Sequence, residues 1–278
     1  MRAKHVLDRV GVVPSKQRGQ NFLIDESFPD RVVEFAEIGA ADHVLEIGGG
    51  LGALTEAVLR RSDDLTVVEI EPKLCAYLRE QYPQLEERVR CADIRDVALA
   101  DLAKKPGEKF VVVGNIPYSI SSDVVFWLIE QRASVRHACF LFQKEFSERV
   151  AAPPGGRDYG IISVMVKLYA STELGAIIDG SAFHPPAAVD SQLVRFSFSD
   201  HPLAAGLDHA KVRAVVAASF GQRRKTLLNS LSGSQLFESK AQTLDCLNAA
   251  GIDPGRRAET LSLEEYLRLA EAYHRKSA

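Results

Sequence analysis

Apolar residues recur along the first two thirds of the chain in short runs, with amphipathic stretches between them. Runs at 43–47, 65–70, 89–91, 110–113 and 137–142 are rich in Val, Ile, Leu and Phe and have strand length. Such continuous apolar runs suit strands covered on both faces, as in a parallel sheet. Helical spacing predicts helices over about 27–38, carried by Val32, Val33, Phe35 and Ala36, and over 53–61 and 72–81. Pro72 stands at a first helical position, where its missing N–H costs nothing. Another helix starts at Ser122 or Asp123, and one covers 144–151. The segment 161–169 fits helix or strand equally. Two late runs, 175–178 and 192–198, follow each other without a clear helix, which suits an antiparallel edge. Residues 1–22, broken by Gly11, Pro14 and Gly19, read as an irregular arm.

Strands alternating with helices imply βαβ units and a mostly parallel sheet. After residue 200 the pattern changes. A Pro- and Gly-containing linker at 201–208 leads into helical periodicity alone, at 210–220, 225–231, 241–249 and 263–275. The fold class expected is α/β with a small all-helical C-terminal domain, divided as 1–200 and 201–278.

Composition adds bounds. The 278 residues are 46% hydrophobic and 26% charged, which is ordinary for a globular chain able to bury a sizeable core. No apolar run reaches the ~18 residues of a membrane span, and the basic N-terminus lacks the apolar core of a secretory signal. Cys75, Cys91, Cys139 and Cys246 are widely spaced and form no C-x-x-C pair. Reduced thiols in a cytoplasmic protein are expected, with no metal. The net charge is −3, but residues 199–278 carry +2 and the first 20 residues hold five basic side chains against one acid. Contact with a polyanion is therefore expected to be local, through the N-terminal arm and the C-terminal part.

Candidate chemistry gathers at strand ends, where open α/β sheets bind ligands. Gly48, Gly50 and Gly52 follow the first strand and open a helix, so the backbone can approach a ligand closely. Gly48, Gly50 and Ala53 also fit G-x-G-x-x-G/A, which keeps a dinucleotide open. Glu69, with Ile70 beside it, ends the next strand and can accept hydrogen bonds from ribose hydroxyls. Asp93 follows the third strand and can accept from an adenine amine while Ile94 packs on the ring. A helix cap is the plainer use of that Asp. No Lys or Arg joins the glycine turn to neutralise a pyrophosphate, which favours S-adenosylmethionine, a cationic sulfonium, over a dinucleotide.

The stretch that organises the chain is Gly114-Asn115-Ile116-Pro117-Tyr118-Ser119, set between the strand 110–113 and the next helix. An adenine N6 amine is a weak nucleophile because its lone pair is delocalised into the ring. Two acceptors aimed at its hydrogens would favour a pyramidal nitrogen. The Asn115 side-chain oxygen and a carbonyl near Ile116–Pro117, aimed by the fixed φ of Pro117, can supply them. Tyr118 offers a stacking face to a base removed from its helix. Methyl transfer by in-line attack would then rest mainly on positioning.

Nearly the whole chain resembles the ribosomal RNA adenine N6,N6-dimethyltransferases, which modify two adjacent adenines near the 3′ end of small-subunit (16S-type) rRNA. The matching residues are Gly19-Gln20-Asn21-Phe22-Leu23, Glu46-Ile47-Gly48-Gly49-Gly50-Leu51-Gly52, Val68-Glu69, Asp93, Asn115-Ile116-Pro117-Tyr118, Gln143-Lys144-Glu145, Asp158-Tyr159-Gly160, Phe183-His184-Pro185-Pro186 with Val189-Asp190-Ser191, and Phe220-Gly221-Gln222-Arg223-Arg224-Lys225-Thr226-Leu227. The resemblance implies a Rossmann-like methyltransferase sheet using S-adenosyl-L-methionine and no metal. Asn21, Leu23, Gly48, Gly50, Glu69, Ile70, Asp93, Ile94 and Asn115 would contact the cofactor. Asn115, Pro117 and Tyr118 would hold the target adenine, with Phe183 as the second aromatic wall. Arg223, Arg224 and Lys225 would contact RNA phosphates from a helix. The implied partner is the small ribosomal subunit or its precursor, bound by a cytoplasmic monomer during ribosome assembly.

Three rivals share parts of this pattern. A large-subunit rRNA adenine methyltransferase of the resistance type has Gln-Asn-Phe and Asn-Ile-Pro-Tyr, but the 220–227 segment and the longer helical tail disfavour it. A DNA adenine methyltransferase more usually has Asp or Asn-Pro-Pro-Tyr and a separate recognition domain. A non-catalytic assembly or nucleic-acid-binding factor of the same fold would not need Glu69, Asp93, Asn115 and Tyr118 intact.

Overall fold

A computed structural model describes residues 2–15, 19–199, 208–222 and 224–277. By internal contacts the chain forms two compact units, Met1–Ser147 with Thr172–Phe198, and Glu148–Ser171 with Ser199–Ala278.

The first unit is built on a seven-stranded sheet in the order β4-β3-β2-β5-β6-β9-β7. The strands are β2 (His43–Ile47), β3 (Leu65–Glu69), β4 (Val89–Cys91), β5 (Phe110–Asn115), β6 (Val135–Gln143), β7 (Ala170–Ile178) and β9 (Ser191–Phe198). Strands β4, β3, β2, β5 and β6 run parallel, and β9 is antiparallel to β6. All of β2 and β3 is buried, which is why they are mostly apolar, with His43, Glu46, Thr66 and Glu69 as buried polar exceptions. Helices α2 (Phe28–Phe35), α3 (Ala53–Leu59) and α4 (Pro72–Gln81) bury Phe28, Val32, Val33, Leu54, Val58 and Leu78 in one core cluster with Val44, Val67, Val111 and Val113. Helix α5 (Ser121–Glu130) buries Val124, Val125 and Leu128, and its Trp127 Nε1 donates to the Val97 carbonyl at 2.8 Å.

The N-terminal arm departs from expectation. Residues Arg2–Val10 form a helix, α1, whose Leu7 is buried with Val12, Phe22 and Leu74. Gly11, at φ +66°, stops this helix rather than preventing it. A second small sheet also appears, pairing β1 (Phe22–Leu23) antiparallel with β8 (Phe183–His184).

The second unit is helical. It contains α7 (Ile161–Tyr169), α8 (His209–Phe220), α9 (Leu227–Ser232), α10 (Lys240–Ala249) and α11 (Leu263–Ser277), and α6 (Lys144–Ala151) runs into it. The ambiguous 161–169 segment is thus a helix, buried at seven of its nine positions. It belongs with the helical tail: the Tyr169 hydroxyl and His209 Nδ1 are 2.8 Å apart, and the Tyr159 and Phe220 rings meet edge to face. This unit therefore takes in residues 148–171, which the sequence reading left with the sheet. Asp208 caps α8, its Oδ1 accepting from the Ala210 N–H at 2.8 Å, while 201–207 of the expected linker lie outside the described residues.

One close approach in the sheet is testable. A Cβ on Gly114 would stand 2.6 Å from the Ile47 carbonyl oxygen and 2.9 Å from Ile116 Cδ1. The first is backbone locked in the β2–β5 ladder, so it cannot retreat. Gly114→Ala should lower stability by about 1–3 kcal/mol through overpacking. The check is the urea midpoint followed by Trp127 fluorescence; an unchanged midpoint would refute the close approach.

Candidate functional site

The site begins where three strands end level. Ile47 pairs with Val68 of β3 and with Gly114 of β5, so the next residues, Gly48, Glu69 and Asn115, are neighbours at one sheet edge. Gly48, Gly50 and Gly52 have φ of +76°, +54° and +85°, the left-handed region that glycine enters without strain. The turn they make aims the Gly50 N–H at Glu69 Oε2, 3.0 Å away, while Glu69 Oε1 accepts from the Glu71 N–H at 2.9 Å. Two main-chain donors thus fix the Glu69 carboxylate, and each oxygen keeps acceptor capacity for a ligand hydroxyl. Burial raises the Glu69 pKa, against the lowering by these hydrogen bonds. Beside it Ile70 is 47% exposed, an apolar side chain available to a flat ring.

The Asn115 amide is oriented from across the cleft. Its Nδ2 donates to the Asn21 carbonyl at 3.0 Å, which leaves Oδ1 as the free-facing acceptor. The Ile120 N–H donates to the Pro117 carbonyl at 3.1 Å, closing a short turn over Tyr118–Ile120. The Pro117 carbonyl thus has one lone pair engaged, whereas among the described residues no main-chain donor reaches the Ile116 carbonyl. The Tyr118 hydroxyl lies 2.9 Å from Ser191 Oγ, and Ser191 is fully buried at the start of β9. Burial raises the Tyr118 pKa, so the phenol stays neutral.

The cleft between these groups is lined by Asn21, Leu23, Gly48, Gly50, Glu69, Ile70, Asn115, Pro117 and Tyr118 of the expected set, together with Gln20, Phe22, Glu46 and Leu51. Its lining includes two carboxylates and no Lys or Arg among the described residues. The chemistry of that donor set fits a cationic adenosine ligand such as S-adenosylmethionine, and it fits a pyrophosphate poorly.

The other expected residues lie outside that lining. Asp93 does not line the cleft. It caps the short turn Ile94–Asp96 and holds Arg95, with contacts of 3.0 Å to Nε and 2.6 Å to Nη2, and that guanidinium lowers its pKa. Ile94 is buried beside it. Phe183 is 1% exposed and packs in the core cluster, registered with Leu23 across the small sheet. Arg224 and Lys225 are exposed, but on the turn between α8 and α9 and not on a helix, because Thr226 is the N-cap of α9. Arg223 lies outside the described residues.

The sequence reading gave no role to Glu46, which lines the cleft from inside β2. A charged residue in a fully apolar strand was the available signal. Among the described residues one group could hold a metal ion, His43 with Asp64 and Glu108, at the opposite ends of the strands. Asp64 there is already neutralised by Arg88 at 2.8 Å and Lys104 at 2.6 Å.

Residues 14–275 match the family model described as ribosomal RNA adenine dimethylase. The chain is 40% identical over 270 residues to ribosomal RNA small subunit methyltransferase A of Desulforapulum autotrophicum, covering 96% of this chain and 94% of that protein. It is 36% identical to the protein of the same name from Bacillus mycoides, covering 98% and 95%. Among solved structures it is similar to a dimethyladenosine transferase from Plasmodium falciparum, with TM-score 0.75, 25% identity and coverage of 92% and 98%. It is also similar to the 23S rRNA methyltransferase ErmE, with TM-score 0.64, 28% identity and coverage of 91% and 100%.

Glu46 supplies a test of the electrostatics. It is 1% exposed, accepts from Thr55 Oγ1 at 2.6 Å, and is pushed up to about 7 by burial, with the nearby Glu69 charge adding to the rise. A carboxyl whose folded pKa is raised favours the fold below its unfolded pKa, and that contribution is lost as pH rises through about 7. Glu46→Gln keeps the Thr55 hydrogen bond and removes the titration. The variant should gain on the wild type between pH 5 and pH 8, by on the order of 3 kcal/mol. Urea midpoints at both pH values check this; a difference independent of pH would contradict the buried charge.

Proposed function

The chain belongs to the ribosomal RNA adenine dimethylase family, and from that membership we propose that it methylates N6 of two adjacent adenines near the 3′ end of small-subunit rRNA, during assembly of the particle. It is an S-adenosylmethionine-dependent rRNA adenine N6,N6-dimethyltransferase. The small-subunit names of the relatives that align end to end support the small over the large subunit as substrate.

The observation that carries the reading is the oriented amide of Asn115 beside the Glu69 cleft. S-adenosylmethionine supplies an activated methyl group on a sulfonium sulfur. Glu69, held by the Gly50 and Glu71 N–H groups, would accept the ribose hydroxyls of the donor. Gly48 and Gly50 would let the main chain approach it, with Leu23 and Ile70 of the cleft lining as apolar contacts; Ile94, buried outside that lining, would join them once uncovered. Asp93 would accept from its adenine amine, sharing its carboxylate with Arg95.

For the acceptor base, Asn115 Oδ1 and the Ile116 carbonyl would take the two N6 hydrogens and favour a pyramidal nitrogen. These are fixed dipoles, in place before the reaction, and such preorganisation is the effective part of electrostatic catalysis. Pro117 fixes the backbone between them. Tyr118, pinned at its hydroxyl by Ser191, would offer its ring to the base, and Phe183 would be the second wall once uncovered. The amine attacks as a neutral nucleophile, so no strong base is required. Its proton becomes acidic on methylation and can pass to water.

The helical unit would carry rRNA recognition, with Arg224 and Lys225 on the α8–α9 turn and Arg223 beside them in sequence. The net charge of −3 favours a preformed particle recognised by shape over naked RNA. No described helix is long and apolar enough to cross a membrane. The chain would act in the cytoplasm as a monomer, and its free cysteines are compatible with a reducing compartment.

Asn115→Ala is the direct test. Methyl transfer to under-methylated small subunits should fall by about 10²-fold or more, the usual effect of removing one preorganised hydrogen-bonding group. Binding of S-adenosylhomocysteine, measured by calorimetry, should weaken but persist. Full activity in this variant would remove the amine-acceptor role.

A further inference from the structure

The segment Gly19–Leu23 touches both halves of the cleft. On the donor side, Phe22 packs over the glycine turn: a Cβ on Gly50 would meet its ring at 3.3 Å. Asn21 and Leu23 line the same cleft as Glu69. On the base side, Gly19 lies against the Asn-Ile-Pro-Tyr stretch, with a φ of +61° and a Cβ position 3.1 Å from the Tyr118 main-chain N. Between these contacts the Asn21 carbonyl receives the Asn115 Nδ2 hydrogen bond at 3.0 Å.

We propose that the Asn21 main-chain carbonyl is a positioning group that couples donor binding to base capture, by holding the Asn115 amide with Oδ1 toward the acceptor amine. The inference rests on the methyltransferase reading above, and adds to it an order of events. An Asn amide can present either its oxygen or its nitrogen to a ligand, and only the oxygen accepts. A base amine offers two donors, so an amide presenting nitrogen would repel it. The Asn21 carbonyl removes that choice, because it can only accept, and so it selects the rotamer with nitrogen turned toward it.

The strap that carries Asn21 is anchored at Phe22, buried with Leu7, Val12 and Leu74, but its main-chain pairing is short. Its pairing partner is a two-residue strand: Phe22 pairs with His184 and Leu23 with Phe183, extended by the Ile24 N–H to the Ala182 carbonyl at 2.9 Å. Two-stranded pairings of this length are marginal alone. A donor that contacts Asn21 and Leu23 adds to the stability of the strap, and therefore to the fraction of molecules with Asn115 correctly turned. Coupling of this kind is reciprocal: the base must tighten donor binding by the same factor.

The test is a binding ratio. The dissociation constant of under-methylated small subunits is measured with and without saturating S-adenosylhomocysteine, by filter binding of the full chain. The wild type should bind the particle about 10-fold more tightly with the cofactor product present, within the usual range of site coupling. Asn115→Asp keeps an acceptor oxygen, removes the donor to the Asn21 carbonyl and sets two oxygens against each other. Gly19→Ala displaces the strap without altering Asn115. In both variants the ratio should fall to about one, in line with the coupling free energy it measures. A general loss of fold would weaken both affinities and leave the ratio unchanged. A wild-type ratio of one, or an undiminished ratio in Asn115→Asp, overturns the proposal. If the wild type neither binds S-adenosylhomocysteine nor transfers methyl groups, the functional reading itself has failed. A wild type that methylates with a ratio of one removes only the coupling.

Discussion

The site depends on the register of three parallel strands. Ile47 is paired on both sides, with Val68 and with Gly114, and this sets Gly48, Glu69 and Asn115 side by side. A slip of one residue in any of the three would turn every side chain of that strand to the other face. Burial on both faces makes such a slip costly, since β2, β3 and most of β5 have no exposed positions to exchange. The same closeness leaves no space for a side chain at Gly114. Strand pairing and site geometry are in this sense one constraint.

Charge follows from that geometry. Two carboxylates, Glu46 and Glu69, face one cleft that brings no described Lys or Arg to balance them. Burial raises the pKa of each, and the Glu69 charge adds to the rise at Glu46. A cationic ligand relieves the imbalance. Asn115 and Ile116, in the same lining, offer neutral dipoles suited to an amine with hydrogens to donate. The cleft thus separates a region for positive charge from a region for a neutral base, as transfer of a methyl group from a sulfonium to an adenine amine requires.

Much of this was legible in the sequence, for definite reasons. The sheet strands are short, mostly apolar runs, and the strand-end residues Glu69 and Asn115 follow from where those runs stop. The small sheet of Phe22–Leu23 with Phe183–His184 was not legible, since two residues carry no period. Helix α1 was hidden by counting breakers: Gly11 lies at its end, and the buried Leu7 is the residue that makes it a helix. Asp93 stands at a strand end as read from the sequence, but a pattern of spacing could not reveal that Arg95, two residues on, shares its carboxylate. Thr226 caps the helix that was expected to include Lys225, so Arg224 and Lys225 stand on a turn. The Asn21–Asn115 hydrogen bond joins residues 94 apart in sequence, and only the fold brings them together.

The central claim is that this cleft places a methyl group on adenine N6 in the small ribosomal subunit. The most direct measurement incubates the protein with labelled S-adenosylmethionine and, separately, under-methylated small subunits, large subunits or naked small-subunit rRNA, then maps the modified nucleotide. The account predicts N6,N6-dimethyladenosine at two adjacent adenines near the 3′ end of the rRNA in small subunits, with little label in the other two substrates. Label confined to the large subunit, or none in any substrate, would contradict it.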